Sequence, residues 1–320
     1  MLRAVAAGPP SPDNRSETKK RGTKGTTDVA QISELRDLIA QFARRDGDHQ
    51  TSIASLCLMR RSSSLIPEFT ILSPALCVVA QGQKEFLLGE EEYSLGSGHH
   101  LVASTHLPVS ARILEATPIK PFLGLRLGFH LTNLRSLIEE ARLPAPVAGA
   151  SARALCVSRT APPLLDAVLR LVRLLQSPAE IPVLAPMIER EILFRLLLEK
   201  GSVGLHHMAR ADSPPQRISI AIVWLRKHFR ESFRVDDLAR QAGMSGSSFR
   251  QWFRSITGMS PLQYQKQLRL QEARSILRNE RKDVGTVSRR VGYESSSQFS
   301  REYSRLFGNP PVREISKGSF

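Results

Sequence analysis

Between residues 33 and 42, Ser33, Leu35, Leu38, Ile39 and Phe42 recur at helical spacing and Asp46-Gly47-Asp48 follows as a stop, which predicts a first helix. From about 54 to 129 the period shortens to apolar or alternating runs: Leu56 to Arg60, Ala75 to Ala80, Glu85 to Leu88, Glu92 to Leu95, His100 to Ser104, Val109 to Ala116 and Pro121 to Phe129. Gly82, Gly89, Gly96, Gly98 and Pro118 separate them, so these runs predict short strands in a β-sandwich or small barrel, which can enclose a small ligand. Helical spacing returns at about 133–141, 163–175 and 183–198. Leu164, Leu165, Val168, Leu169, Val172 and Leu175 form one apolar stripe, and Ile188, Ile192, Leu193 and Leu196 another; both are expected to cover the sheet, with any excess available as a dimer seam.

The last third repeats itself. Ala-Arg-Gln-Ala-Gly at 239–243, Ser-Ser-Phe at 247–249, Phe253, Gly258 and Pro261 recur as Ser-Arg-Arg-Val-Gly at 288–292, Ser-Gln-Phe at 297–299, Tyr303, Gly308 and Pro311. The offset is 49 residues at the first glycine and 50 from the phenylalanine onward. Each copy reads as helix, glycine turn and second helix, and two such units side by side point to DNA. A helix over about 216–229 should precede them, and a long one over about 261–278 should join them, with Pro261 at its start where a missing N–H costs nothing. At ~1.5 Å per residue the joining helix spans roughly 27 Å. Adding the offset of each motif matches the ~34 Å between successive major-groove faces.

On the second helix of the first copy, Phe249, Trp252, Phe253 and Ile256 share the inward face, so Ser247, Arg250, Gln251 and Arg254 point out. In the second copy Phe299, Tyr303 and Leu306 turn inward, leaving Ser297, Gln298, Arg301 and Arg305 outside. Arginine and glutamine can make paired hydrogen bonds to guanine and adenine edges, and serine tolerates several bases. Arg254, Lys266, Arg269, Arg274 and Arg305 are candidate phosphate contacts that would set the register on DNA.

Charge agrees with that reading. Residues 217–320 carry 20 Lys/Arg against nine Asp/Glu, whereas 31–216 carry 19 against 18, so most of the chain's +15 belongs to the duplicated region. A concentrated positive potential suits counterion-releasing contact with phosphates. The 320 residues suffice for two domains, divided at a polar linker over about 201–215. Residues 1–28 hold Pro, Ser, Thr, Gly and Lys with few large apolar side chains, and are expected to form a disordered basic tail. Cys57, Cys77 and Cys156 have no metal-ligand or disulfide spacing, which fits free thiols in a reducing cytoplasm. No run of about 18 apolar residues is present to span a bilayer, so a membrane is not expected as a partner.

The duplicated region resembles the AraC/XylS family of transcriptional regulators. The residues that carry the likeness are Ala-Gly-Met-Ser at 242–245, Gly-Met-Ser-Pro-Leu-Gln-Tyr at 258–264, Arg-Leu-Gln-Glu-Ala-Arg at 269–274 and Val-Gly-Tyr-Glu-Ser-Ser-Ser-Gln-Phe-Ser-Arg at 291–301. Leu-Cys-Val-Val-Ala-Gln-Gly at 76–82, Leu-Pro-Val-Ser at 107–110, Leu-Gly-Leu-Arg-Leu at 123–127 and Ile-Pro-Val-Leu-Ala-Pro-Met at 181–187 extend it to the sensor domain of one subgroup. The resemblance implies an α+β chain: a cupin-like β-barrel with packed helices over 29–200, then an all-α tandem helix-turn-helix domain over 216–316. It implies an effector-responsive regulator, usually an activator, that binds promoter DNA and RNA polymerase, takes an unidentified small-molecule effector, and can form a homodimer. The family's base-reading positions fall on Ser247, Arg250 and Gln251, and on Ser297, Gln298 and Arg301. Val287-Ser288 stands where the family has Ile-Ala, and Asn309-Pro310-Pro311 departs from its usual ending.

Other chemistry is thinly represented. His99, His100 and His106 near Glu90, Glu91 and Glu92 lack the spacing of a cupin metal site and are expected on a solvated rim, as is His206-His207 in the linker. Cys77, inside an apolar run, reads as a small buried hydrophobe. No nucleophile elbow, P-loop, dinucleotide fingerprint or HExxH motif occurs, so neither catalysis nor a cofactor is expected. The alternatives left open are a nonspecific or architectural DNA-binding protein and a cupin enzyme fused to a DNA-binding domain.

Overall fold

A computed structural model describes residues 16–64, 68–129, 131–143, 153–199, 203–209, 213–280 and 282–313. The first half is a sheet-rich domain, the last third all helix. Helix α1 (Ser16–Phe42) is followed by strands β1 (Gly47–Gln50), β2 (Leu56–Arg61), β3 (Glu68–Leu72), β4 (Ala75–Gln81) and β5 (Gln83–Leu88). Then come β6 (Glu91–Gly96), β7 (His99–Ala103), β8 (Leu107–Glu115), β9 (Phe122–Gly128), helix α2 (Leu131–Glu140) and β10 (Leu155–Arg159). Helices α3 (Pro162–Arg173), α4 (Ile181–Leu197) and α5 (Val203–Ala209) complete this half. The first helix runs back to Ser16, into the stretch expected to be a tail, and residues 1–15 lie outside the described residues.

The strands form two antiparallel sheets, ordered β1-β2-β9-β4-β7-β10 and β3-β8-β5-β6. The expected barrel is therefore corrected to an open two-sheet sandwich. Strands β6 and β7 neighbour one another across the sheets, but the pairing ladders stay within each sheet, so no ring closes. The central strands of the larger sheet are covered on both faces, which is why they read as continuous apolar runs. Leu76 and Val78 of β4, with Leu123, Leu125 and Leu127 of β9, face the core shared with Leu35 and Ile39 of α1 and Leu164, Leu165 and Val168 of α3. Cys77, Val79 and Phe122 face the other way, toward Phe86, Val109 and Ile113 of the smaller sheet. The α3 stripe is thus wholly buried, and the exposed apolar residues lie instead on α4, at Val183, Leu184 and Met187.

The polar segment expected as a bare linker contains α5. Leu205 is buried in the sensor core, and Gly204 sits so close that a β-carbon there would lie 2.9 Å from the Arg153 carbonyl oxygen. His206 is 8% exposed, with Nε2 2.8 Å from the Leu197 carbonyl oxygen, so its expected solvation is corrected; the side chain of His207 lies outside the described residues. His100 is also buried, at 1% exposure, with Nε2 3.1 Å from Glu199 Oε2 just beyond α4. His106 is half-buried beside the DNA module, and of the three candidate rim histidines only His99 is exposed.

Six helices follow: α6 (Pro214–His228), α7 (Val235–Gln241), α8 (Gly246–Thr257), α9 (Pro261–Glu280), α10 (Val284–Arg290) and α11 (Ser296–Phe307). Their apolar residues do not form one core. Ile218, Leu225, Phe249, Phe253, Tyr264 and Leu268 join the cluster that fills the sandwich, through contacts with residues such as Leu88 and Leu107. Leu270, Ile276, Leu277, Val287, Phe299 and Tyr303 form a separate core around the second motif. The first motif is thereby merged with the sensor, whereas the second has its own packing.

Candidate nucleic-acid interface

Both second helices are built alike. Ser245 caps α8 by accepting a 3.3 Å hydrogen bond from the Ser248 N–H, and Ser295 caps α11 through the Gln298 N–H at the same distance. Each helix ends on a glycine in the left-handed region, Gly258 at φ +70° and Gly308 at φ +73°. The turns before them use Gly243 at φ +64° and Gly292 at φ +91°, a conformation that a β-carbon makes costly. The Ile-Ala departure leaves α10 intact: Val287 is fully buried, and the Ser288 hydroxyl donates to the Gly285 carbonyl at 2.8 Å. The Asn309-Pro310-Pro311 exit closes as a turn, with the Arg313 N–H 3.0 Å from the Pro310 carbonyl oxygen.

Phe249 and Phe253 pack inward as a tilted pair with ring centroids 5.6 Å apart, and Phe299 and Tyr303 do the same at 5.5 Å. Helical geometry then leaves Ser247, Arg250 and Gln251 exposed on α8, and Ser297, Gln298 and Arg301 exposed on α11. Helix α9, whose 20 residues give roughly 30 Å, connects the two motifs. Arg250 is ion-paired to Asp236 of α7, Nη2 to Oδ1 at 2.7 Å. Gln298 Nε2 donates to Glu302 Oε1 at 3.1 Å.

The cations named as phosphate contacts divide. Arg269 is half-buried and donates to the carbonyls of Phe229, Arg230 and Glu231, at 2.6, 3.2 and 3.0 Å, with its guanidinium 5.8 Å from the Tyr293 ring centre. Arg274 lies over Phe307 at 4.6 Å from the ring centre. These two hold the long helix to its neighbours. Arg254, Lys266 and Arg305 are exposed, and all three border a cleft of about 710 Å³. The tip of the β5–β6 hairpin, with Leu88, Glu90, Glu91 and Tyr93, forms its opposite wall together with Arg153. There the backbones nearly touch: a β-carbon on Gly89 would lie 2.9 Å from the Gly258 carbonyl oxygen.

Glu302 organises the far wall. Lys266 Nζ is 2.7 Å from its Oε1 and the Tyr293 hydroxyl donates to its Oε2 at 2.8 Å. Burial raises the pKa of this carboxyl, but the hydrogen bonds from Lys266, Tyr293 and Gln298 outweigh it and hold the group below the usual carboxylate range. Burial together with the bond to Glu91 pushes the Tyr93 hydroxyl up to about 12. Sequence reasoning missed Asp236, Arg153 and Glu302, because their partners lie on other elements; only the Gln298–Glu302 spacing of four was visible along the chain. Among the described residues no group of three or more His, Cys, Asp or Glu side chains could hold a metal, and no helix is long and apolar enough to cross a membrane.

Residues 52–202 match the family model described as the N-terminus of AraC-type transcriptional regulators, and residues 238–314 match a helix-turn-helix domain. The transcriptional activator RhaS of Escherichia coli O1:K1 is 30% identical over 158 residues, covering 48% of this chain and 55% of that protein. RhaS of Escherichia coli strain SE11 is 32% identical over 132 residues, covering 40% of this chain and 46% of that protein. The chain spans about half the length of these relatives. The fold is that of ToxT from Vibrio cholerae, whose P21 crystal form superposes with a TM-score of 0.53 at 11% identity over 83% of this chain and 98% of that one. ToxT bound to (E)-4-(8-methylnaphthalen-1-yl)but-3-enoic acid gives 0.52 at 10% identity, over 82% and 98%. The chain thus joins a sheet-rich domain of the AraC-type N-terminal kind to a tandem helix-turn-helix module. The chain belongs to the AraC/XylS family of transcriptional regulators, in the subgroup with the AraC-type N-terminal domain.

Proposed function

We propose that this chain is a sequence-specific, effector-responsive transcriptional activator that reads two different half-sites on successive turns of promoter DNA. One observation carries the reading. Two capped recognition helices, connected by α9, expose unequal polar sets: Ser247, Arg250 and Gln251 on one, Ser297, Gln298 and Arg301 on the other. Arginine in such a place pairs with guanine, so the target is asymmetric rather than a palindrome within one protomer's footprint. Arg254, Lys266 and Arg305 are the phosphate contacts in this reading, and Arg269 and Arg274 serve the module's own structure.

An effector seated in the 710 Å³ cleft would bear on the hairpin and on both motifs at once, shifting the population competent to bind DNA. The small-molecule complex of ToxT, a protein of the same fold, supports a ligand-responsive sensor. RhaS relatives named as activators support contact with RNA polymerase. Exposed Val183, Leu184 and Met187 on α4 supply an apolar surface for a homodimer, and free cysteines suit a cytoplasmic regulator. Gel-shift titration of the full chain tests the core of this reading. Arg250→Ala and Arg301→Ala should each relax preference at one base position, by about 5- to 100-fold against the wrong base. Unchanged preference in both variants would overturn the assignment of α8 and α11.

A further inference from the structure

We propose that Asp236 is a positioning residue for base reading: it holds Arg250 in the orientation that selects guanine and makes the first motif the more discriminating reader. The inference rests on Arg250 being a base reader. Asp236 lies in the first turn of α7, outside the recognition helix, and its Oδ1 sits 2.7 Å from Arg250 Nη2. Gly246, the first residue of α8, leaves the room for this: a β-carbon there would stand 2.5 Å from Asp236 Oδ1 and 2.9 Å from Arg250 Nη1. All three features are missing from the second motif. At the 49- and 50-residue offsets, Gly285 replaces Asp236, Ser296 replaces Gly246 and Ser300 replaces Arg250. Arg301, the second motif's arginine, makes no ion pair among the described residues.

Physical chemistry says what the pair does. A guanidinium offers five N–H donors in a planar fork, and one carboxylate oxygen at Nη2 leaves enough of them for the two acceptors of guanine. A free arginine must be ordered on binding and can settle on phosphates or on a neighbouring base. Held by Asp236, Arg250 starts near the reading orientation. In water so exposed a pair contributes little to folding, but once DNA excludes solvent the same geometry is costly to break. The carboxylate also repels nearby phosphates, so it lowers binding to every sequence while raising the contrast between sequences.

The test is selection from a pool of random-sequence duplexes by the full chain, with affinity for unselected duplex measured in parallel. Wild type should fix guanine at one position that Arg250→Ala flattens. Asp236→Ala should lose about tenfold of the preference at that same position, while binding unselected duplex as tightly as wild type or more tightly. Gly246→Ala keeps both charged groups but drives them apart, so it should produce the same local loss. Thermal melts accompany each variant, and if Asp236→Ala melts early the near-isosteric Asp236→Asn is read in its place. Guanine preference kept within about twofold by the Asp236 variant overturns the proposal, even if Gly246→Ala flattens it. A pool in which Arg250→Ala alters no position overturns the base-reading assignment instead, so the two failures are distinguishable.

Discussion

The hydroxyl of Tyr264, on the long helix of the DNA module, donates a 3.0 Å hydrogen bond to the carbonyl of His106 in the sensor. The ring is fully buried and meets Phe253 edge-on at 5.5 Å between centroids, so one side chain joins the first motif to the sandwich. Tyr264→Phe keeps the ring and deletes the bond. It should lower stability by about 1–2 kcal/mol, since a buried carbonyl loses its partner. Urea unfolding of the full chain measures this, and an unchanged midpoint would mean that the bond contributes nothing to the junction.

His106 makes that junction acid-sensitive. Burial, and then the nearby Arg226 charge, push its pKa down to about 4. The unfolded chain takes up this proton near pH 6.5 and the folded chain only near 4, so between those values acid favours unfolding. Stability from this group is complete above about pH 6.5 and falls by on the order of 1 kcal/mol by pH 5. Comparing urea midpoints at pH 7 and pH 5, His106→Gln should lose less stability than wild type over that interval.

Gly292 illustrates how strictly the second turn is specified. It holds φ +91°, and a β-carbon would fall 2.2 Å from the Arg230 carbonyl oxygen. Gly292→Ala should therefore displace the second motif against the end of α6 and destabilise it by more than about 2 kcal/mol. Hydrogen exchange should show α10 and α11 losing protection ahead of the sandwich strands.

Arg269 and Arg250 should fail differently. Arg269→Ala strips the Arg230 carbonyl of its donor and leaves those of Phe229 and Glu231 with Gln265 Nε2 alone, so its first effect should be a lower melting temperature, by several degrees. Arg250→Ala should melt like wild type and change only base preference. A melt of Arg269→Ala that coincides with wild type would return this residue to the list of phosphate contacts.

Cys57 and Cys77 face the same residue, Arg126, from the strands on either side of β9. One intervening strand sets them about 9–10 Å apart, too far for a disulfide. Burial raises both thiols above the ordinary range, so neither is poised as a thiolate. Native protein treated with a disulfide-exchanging dye should react first at half-buried Cys156, with the other two following only on unfolding.

The seven strands legible in the sequence are those with alternating or wholly apolar runs. The three missed, Gly47–Gln50, Glu68–Leu72 and Leu155–Arg159, are all at sheet edges. An edge strand takes its shape from one partner's hydrogen bonds, and Gly-Asp-His-Gln carries no apolar pattern to announce it. The same limit applies at the interface. Repetition exposed the outward faces of α8 and α11, because helical spacing determines which side chains point away. Asp236, Glu302 and the carbonyl partners of Arg269 depend on how helices cross, and no period along the chain encodes that. His100 and His206 were expected in solvent for a related reason: no pattern along the chain announces that Glu199 and the Leu197 carbonyl meet their imidazoles.

The core shared by the sandwich and the first motif bears on how this regulator could be rebuilt. Cutting the chain in the linker and grafting residues 216–316 onto another sensor would carry Ile218, Phe249 and Leu268 away from the strands they lean on. The second motif, with its own core, is the natural unit of exchange. A chimera joined within α9, after Leu268 and before Leu270, would trade one half-site for another and leave the sensor's connection to the first reader untouched.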